Sequence, residues 1–245
     1  MLEFAEFSRF WVYLSASPLV GLTLTLCAYL IAQHIFVRCN GAPLANPVAI
    51  SIALIAAVLW LSGMSYQRYF AGAQFVHFLL GPATVALALP LVRQLPRLRR
   101  AWPSLSLALL AGCVTAIVSA VAVALWLGAP PQLGYTLAPK SATSPIAMAV
   151  SEHLGGIPAL TAALVIFTGI FGAIVSRTVF ALLRIRADAA RGFALGLAAH
   201  GVGTARAFQI SAESGAFAGM AMGLNGAMTA LLVPWLAPLV MRWLA

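Results

Sequence analysis

"PKSATSPIAMAVSEHLGGIP", residues 139–158, holds Lys140, the only lysine of the chain, beside Ser141, Thr143 and Ser144. The stretch lies between two long apolar runs, 103–128 and 157–183. Whether it crosses a bilayer or turns back within one decides the topology of everything around it.

The chain has 245 residues, of which 62% are hydrophobic and 8% charged. Soluble domains carry about 25% charged residues. So little polar surface cannot cover a soluble fold, and the long uncharged runs lack the alternation of barrel strands. The expectation is an all-α integral membrane protein, a polytopic helical bundle. Glu3 and Glu6 stand where a signal peptide would carry basic residues, so the first apolar stretch is expected to persist as a helix. The net charge of +9 does not point to nucleic acid: thirteen of the fourteen basic residues are arginines, mostly at segment ends. Cys27, Cys39 and Cys113 show no CxxC spacing and read as ordinary small residues, with no metal cluster and no cofactor expected.

A spanning helix needs about 20 apolar residues. Candidate segments are 14–37, 47–62, 74–92, 103–128, 157–183, 192–208 and 215–240. Arg38, Arg93, Arg97, Arg99, Arg100, Arg184, Arg186, Arg191 and Arg242 follow segment ends. Placing them all on the cytoplasmic side makes the N-terminus external and the C-terminus cytoplasmic. The loops 62–73 and 129–140 then fall outside. This count closes only if 140–156 is re-entrant, entering and leaving from one side.

"GPATVALA" at 81–88 aligns with "GVGTARAF" at 201–208, matching Gly81 to Gly201 and Thr84 to Thr204. Each lies in the middle of three segments, and the two trios run in opposite senses. The expected organisation is one transmembrane domain, 1–245. It comprises an N-terminal helix (1–45), a first half-repeat (46–130) and a second, inverted one (139–240). Interrupted segments at matching places of inverted halves mark the binding site of secondary transporters.

Three helix breaks are expected: at Gly81 and Pro82, at Thr143, Ser144 and Pro145, and from Gly201 through Gly203 to Thr204. Broken helix ends carry partial positive charge and suit a carboxylate; alternatively, such breaks are kinks satisfied by neighbouring helices. Lys140, Glu152 and Arg206 are charges within apolar surroundings. Lys140 is an anion ligand or an interfacial lysine that snorkels to headgroups. Arg206 is a carboxylate fork or faces water. Glu152 is a partner of Lys140 or Arg206, a proton carrier, or a solvated loop residue. His200 is a titrating group or a hydrogen-bonded structural one. Asn225, midway in the last segment, needs a partner in another helix or in a ligand.

Enzyme chemistry is not expected. "GVGTAR" follows no strand and lacks a third glycine, and the five acidic residues are scattered.

"LGPATVALALPL" at 80–91, "PKSATSPIAMAVSEHLGGIPALTA" at 139–162, "AAHGVGTARAF" at 198–208 and "GAFAGMAMGLNGAMTALLVP" at 215–234 resemble the LrgB/CidB family of membrane proteins. The likeness runs from about Asn46 to Pro234 and extends to the plant plastid glycolate/glycerate transporter. It implies one of two functions in a bacterial inner membrane. One is an antiholin-like regulator of murein hydrolase export and lysis, working with a small holin-like LrgA/CidA-type partner. The other is a carrier of small monocarboxylates such as glycolate, glycerate, pyruvate, lactate or acetate. Relatives tend to have an acidic residue where this chain has Ala149, so a coupling role there does not carry over.

For a carrier, the expected substrate ligands are Lys140, Ser141, Thr143, Ser144, Gly203, Thr204, Arg206, Asn225 and Thr84. His200 and Glu152 would serve H⁺, unwound carbonyls would serve Na⁺, and a homodimer is expected.

Overall fold

The computed structural model describes residues 18–79, 82, 85, 86 and 92–244. Gly81 and Thr84 lie outside the described residues, as does most of the first copy of the expected repeat. The described residues are helical and contain no strand. They divide into two units, Met1–Ala86 and Leu87–Ala245.

In the first unit, α1 spans Pro18–Arg38, a 3₁₀ turn Pro43–Ala45, α2 Pro47–Ser62 and α3 Tyr66–Phe78. Asn46 starts α2: its Oδ1 accepts from the Val48 and Ala49 amides at 2.9 and 3.2 Å, and Pro47 needs no partner for its nitrogen. Gly63 ends α2 in the left-handed region at φ 65°. Gly21 lets α1 approach the α3 backbone at Tyr69, and Thr25 and Tyr69 share a hydrogen bond of 2.8 Å between their hydroxyls. The loop expected over 62–73 is much shorter, because α3 already begins at Tyr66.

The second unit contains α4 (Leu95–Trp126), α5 (Pro131–Leu137), α6 (Ser144–His153), α7 (Pro158–Leu182), α8 (Asp188–Ile210) and α9 (Ala212–Leu244). α4, α7 and α9 are long and apolar enough to cross a membrane, as is α1 in the first unit. The chain is a polytopic all-α membrane protein.

Between α4 and α7 the chain enters the bundle and turns back. α5 has seven residues and α6 ten, so each is about 10–15 Å long, half of a bilayer core. They meet through 138–143. The return arm is fastened near its base: the Ile157 amide donates to Thr136 Oγ1 at 3.0 Å, and Thr161 Oγ1 lies 2.7 Å from Ser151 Oγ. Gly156 makes this possible, since a Cβ there would collide with Ser151. Lys140 therefore sits at the tip of a hairpin in mid-bundle rather than in an external loop over 129–140.

α8 makes a second hairpin. His200 has φ 41° and ψ −128°, outside the helical region, and the chain reverses there. The proof is in the packing. Gly203 backs onto the carbonyl of Leu195, eight residues earlier, a contact that a straight helix would hold about 12 Å apart. On the inbound arm, Gly192 and Gly196 back onto the carbonyls of Ser214 and Ala218, so this arm runs parallel to α9. One residue, Ser211, separates α8 from α9, and its Oγ accepts from the Ser214 amide at 3.1 Å as an N-cap.

This corrects the expected span at 192–208, which does not cross. Two consequences follow. The hairpins enter from opposite ends of the unit, because α7 crosses between them. The C-terminal end of α9, with Arg242, lies opposite the end that carries Arg97, Arg99, Arg100, Arg184, Arg186 and Arg191. Arg97 pairs there with Glu213, at the start of α9, at 2.6 Å. The expectation that Arg242 shares a side with Arg97, Arg99, Arg100, Arg184, Arg186 and Arg191 is corrected by the same reversal.

Candidate functional site

The two hairpin tips meet through Asn225 of α9. Its Nδ2 donates to the Ser141 carbonyl at 2.8 Å and to the Leu197 carbonyl at 3.1 Å. Its Oδ1 accepts from the Cys113 thiol of α4 at 2.9 Å. One buried amide, 1% exposed, thus ties four elements at mid-bundle. The Leu197 carbonyl is available because the reversal at His200 removes its helical partner. His200 is itself buried, with Nε2 2.9 Å from the Val165 carbonyl of α7. Gly169 opens the space for that ring.

Beside this junction lies a cavity of about 470 Å³, lined by Lys140 and Ser141 of the first tip, Leu197 and Ala198 of the second, and residues of α4 and α7 that include Thr115 and Thr168. Lys140 Nζ has one hydrogen-bond partner among the described residues, Ser141 Oγ at 3.4 Å. Its charge is not neutralised by any described acid. Asp188 pairs with Arg191, Glu213 pairs with Arg97, and Glu152 is exposed in the last turn of α6. The cavity shares Gly112, Leu197 and Ala198 with an apolar groove of about 700 Å³ that reaches Arg97 and Glu213 at the arginine-rich end.

Both return arms begin at mid-bundle, α6 at Ser144 and the outbound arm of α8 at Gly201. Two helix N-termini, whose leading amides have no helical acceptor, therefore start near the junction from opposite directions. Pro145 occupies the first turn of α6, after Thr143.

Of the residues singled out from sequence, Lys140, Ser141 and Asn225 come together. Thr143 and Ser144 sit at the start of α6, half-buried, with no side-chain cap bond at Thr143. Thr204 donates its hydroxyl to the His200 carbonyl at 2.9 Å, so it serves the break. Gly203 is a packing residue. Arg206 lies on the outbound arm, donating to Gln209 at 2.8 Å, and does not line the cavity. Glu152 reaches neither Lys140 nor Arg206. The second break falls at His200, with Gly201 already helical. Pro82 is exposed, between neighbours that lie outside the described residues. Sequence reasoning passed over Cys113, which read as an ordinary buried thiol, and Thr115 and Thr168, which sit in apolar helices without a nearby charge to single them out.

The LrgB-like family model matches residues 25–239. The YwbG protein of Bacillus subtilis (strain 168) is 37% identical over 218 residues, 89% of this chain and 96% of its own length. The antiholin-like protein LrgB of Bacillus mycoides (strain KBAB4) is 29% identical over 224 residues, 91% of this chain and 97% of its own. A Haemophilus influenzae protein is 34% identical over 195 residues, 80% and 84% of the two chains. No solved structure matches the chain. With a family model covering most of its length and relatives aligned nearly end to end, the chain belongs to the LrgB-like family.

Proposed function

We propose that the chain is a secondary carrier of small monocarboxylates. The observation that supports this best is Lys140: an ammonium held at mid-bundle, facing a cavity, with a serine hydroxyl as its hydrogen-bond partner and no described carboxylate beside it. An uncompensated charge in such surroundings is costly, and an anionic ligand offsets that cost. The carboxylate binds Lys140 and Ser141 beside the amides that open α6. Asn225 positions the tips without touching the substrate. The groove toward Arg97 and Glu213 serves as the access route from one side.

In this reading the arginine-rich end is cytoplasmic, the C-terminal end of α9 is external, and the membrane is the bacterial inner membrane. A coupling ion, H⁺ or Na⁺, belongs to the proposal. His200, at the reversal of α8 and 2.9 Å from the Val165 carbonyl, is the side chain proposed to carry a proton, and Glu152 is too remote to share that role. The oligomer proposed is a homodimer.

The test is uptake of radiolabelled glycolate and pyruvate into proteoliposomes containing this chain alone, with and without a proton gradient. Saturable uptake is expected. Lys140→Ala abolishes it, while Arg206→Ala retains it, because Arg206 lies outside the cavity.

A second reading is favoured by the names of relatives in Bacillus mycoides and Bacillus cereus, which describe antiholin-like proteins. There the chain regulates a holin-like LrgA/CidA-type partner through protein contacts. Under that reading Lys140→Ala leaves partner binding and lysis control intact. Absence of uptake by folded wild-type protein would then decide for the regulator.

A further inference from the structure

Arg206 takes no part in the cavity, and its surroundings call for a ligand of their own. Gly169 of α7 faces His200 and Val202, and farther along α7 Phe180 shares a core cluster with Ala207, with Ile210 packed against it. The outbound arm of α8 therefore runs parallel to α7 and brings Arg206 level with the turn that holds Arg177. The two charges are close enough to repel. Arg206 is half-buried; its Nη1 donates to Gln209, and its Nε is shut off from water without an acceptor. Arg177 is exposed and makes no hydrogen bond or ion pair among the described residues. No described acid serves either guanidinium, since Asp188 pairs with Arg191 and Glu213 with Arg97.

Two neighbouring guanidiniums with unfilled donors suit an oxyanion. Their depth says which kind. α7 has 25 residues, about 37 Å, and Arg177 precedes its end by five residues, about 8 Å. Against a hydrocarbon core of about 30 Å, Arg177 lies a few ångströms inside the headgroup boundary, within snorkelling reach of a lipid phosphate. This is the arginine-rich end, which also carries Arg184 and Arg186. Ile166, Ile170 and Ile174 precede Arg177 by eleven, seven and three residues and so share its face of α7; none of them is buried. They form an apolar track from the two arginines toward the bilayer centre.

We propose that Arg177 and Arg206 bind an anionic phospholipid, its phosphate bridging the two guanidiniums and an acyl chain lying along the isoleucines of α7. A bridging phosphate turns repulsion between two cations into attraction to a shared anion. Arg206 turns its Nε edge onto one oxygen, and Arg177 takes another. Basic pockets between transmembrane helices on the cytoplasmic side hold anionic headgroups in this way. A zwitterionic headgroup would bring a third cation to the site. The inference goes beyond the carrier reading and does not depend on it.

The experiment is thermal unfolding of the full chain in dodecyl maltoside. Phosphatidylglycerol, phosphatidylcholine of identical acyl chains, or inorganic phosphate is titrated in. Phosphatidylglycerol is expected to raise the Tm of wild type, while phosphatidylcholine and phosphate leave it nearly unchanged. In Arg177→Gln and Arg206→Gln the phosphatidylglycerol needed for half of the rise increases about tenfold, the value of one charge-assisted hydrogen bond. Arg99→Gln, at the same end but on α4, behaves as wild type. Without lipid, neither glutamine variant of the site melts below wild type, because each removes a like-charge contact. If Arg206→Gln gives a polydisperse profile, Arg177→Gln, at an exposed position, decides alone. No rise with phosphatidylglycerol, an equal rise with phosphatidylcholine, or an equal loss in Arg99→Gln overturns the site. An equal rise with inorganic phosphate overturns the lipid as its occupant.

Discussion

At the residue scale, Asn225 has more partners than any other side chain at the junction. It joins the first tip, the second hairpin and α4 through three hydrogen bonds. Asn225→Leu keeps the volume and removes all three, stranding two carbonyls and a thiol. The expected loss is about 2–4 kcal/mol of stability, read as a lowered Tm in detergent. Asn225→Asp turns a carboxylate oxygen toward two carbonyls in a buried place, so its Tm is expected to fall at least as far as that of the leucine variant. The residues that chemistry makes conspicuous were legible in the sequence. A lone lysine, a mid-helix asparagine and a histidine among glycines each violate the apolar rule, and each lies at or beside the junction. Arg206 violates it equally and lies elsewhere, because the chain reverses six residues earlier. Its distance from the site is a property of the backbone at His200.

At the element scale, the second hairpin depends on glycines that face backbone. Gly192 and Gly196 abut carbonyls of α9, which cannot rotate away, whereas Gly201 has only the Met222 sulfur, 4.0 Å off, near its missing Cβ. Gly192→Ala and Gly196→Ala are expected to destabilise by about 1–3 kcal/mol each through overpacking. Gly201→Ala is expected to be neutral or to stabilise by up to about 1 kcal/mol, because a helical alanine replaces a helical glycine. Thermal unfolding of the three variants side by side checks the ordering. The approximate positions of the long apolar helices of the second unit were readable from composition, whereas the segment expected at 74–92 lies largely outside the described residues and a helix at Tyr66–Phe78 stands where a loop was expected. The re-entrant character of 140–156 was readable from charge parity. The break in α8 was expected at 201–204, within a few residues of His200, but not that it would reverse the chain: the length of 192–208 suits a crossing, and the reversal is set by one φ angle at a residue type that does not demand it.

At the scale of the whole molecule, that reversal places the C-terminal end of α9 opposite the arginine-rich end of the second unit. A reporter fused after Ala245, active only outside the cytoplasm, is expected to be active, and a cytoplasm-only fluorescent reporter at the same place dark. The opposite pattern would overturn either the orientation proposed above or the reversal in α8. The mid-bundle node also has a consequence for synthesis. The first hairpin leaves the ribosome long before Asn225 does. Until then the Ser141 carbonyl has no partner, and two half-length helices bearing an ammonium have no reason to enter lipid. Insertion of 131–153 must therefore wait for α9 and occur after α7 is already in place. Because Lys140 is the only lysine, an impermeant amine reagent reports this directly. Nascent chains stalled before Asn225 are expected to label at Lys140 faster than released chains, in which the reagent must enter through the groove, so the last helix to be made completes the enclosure of a segment made well before it.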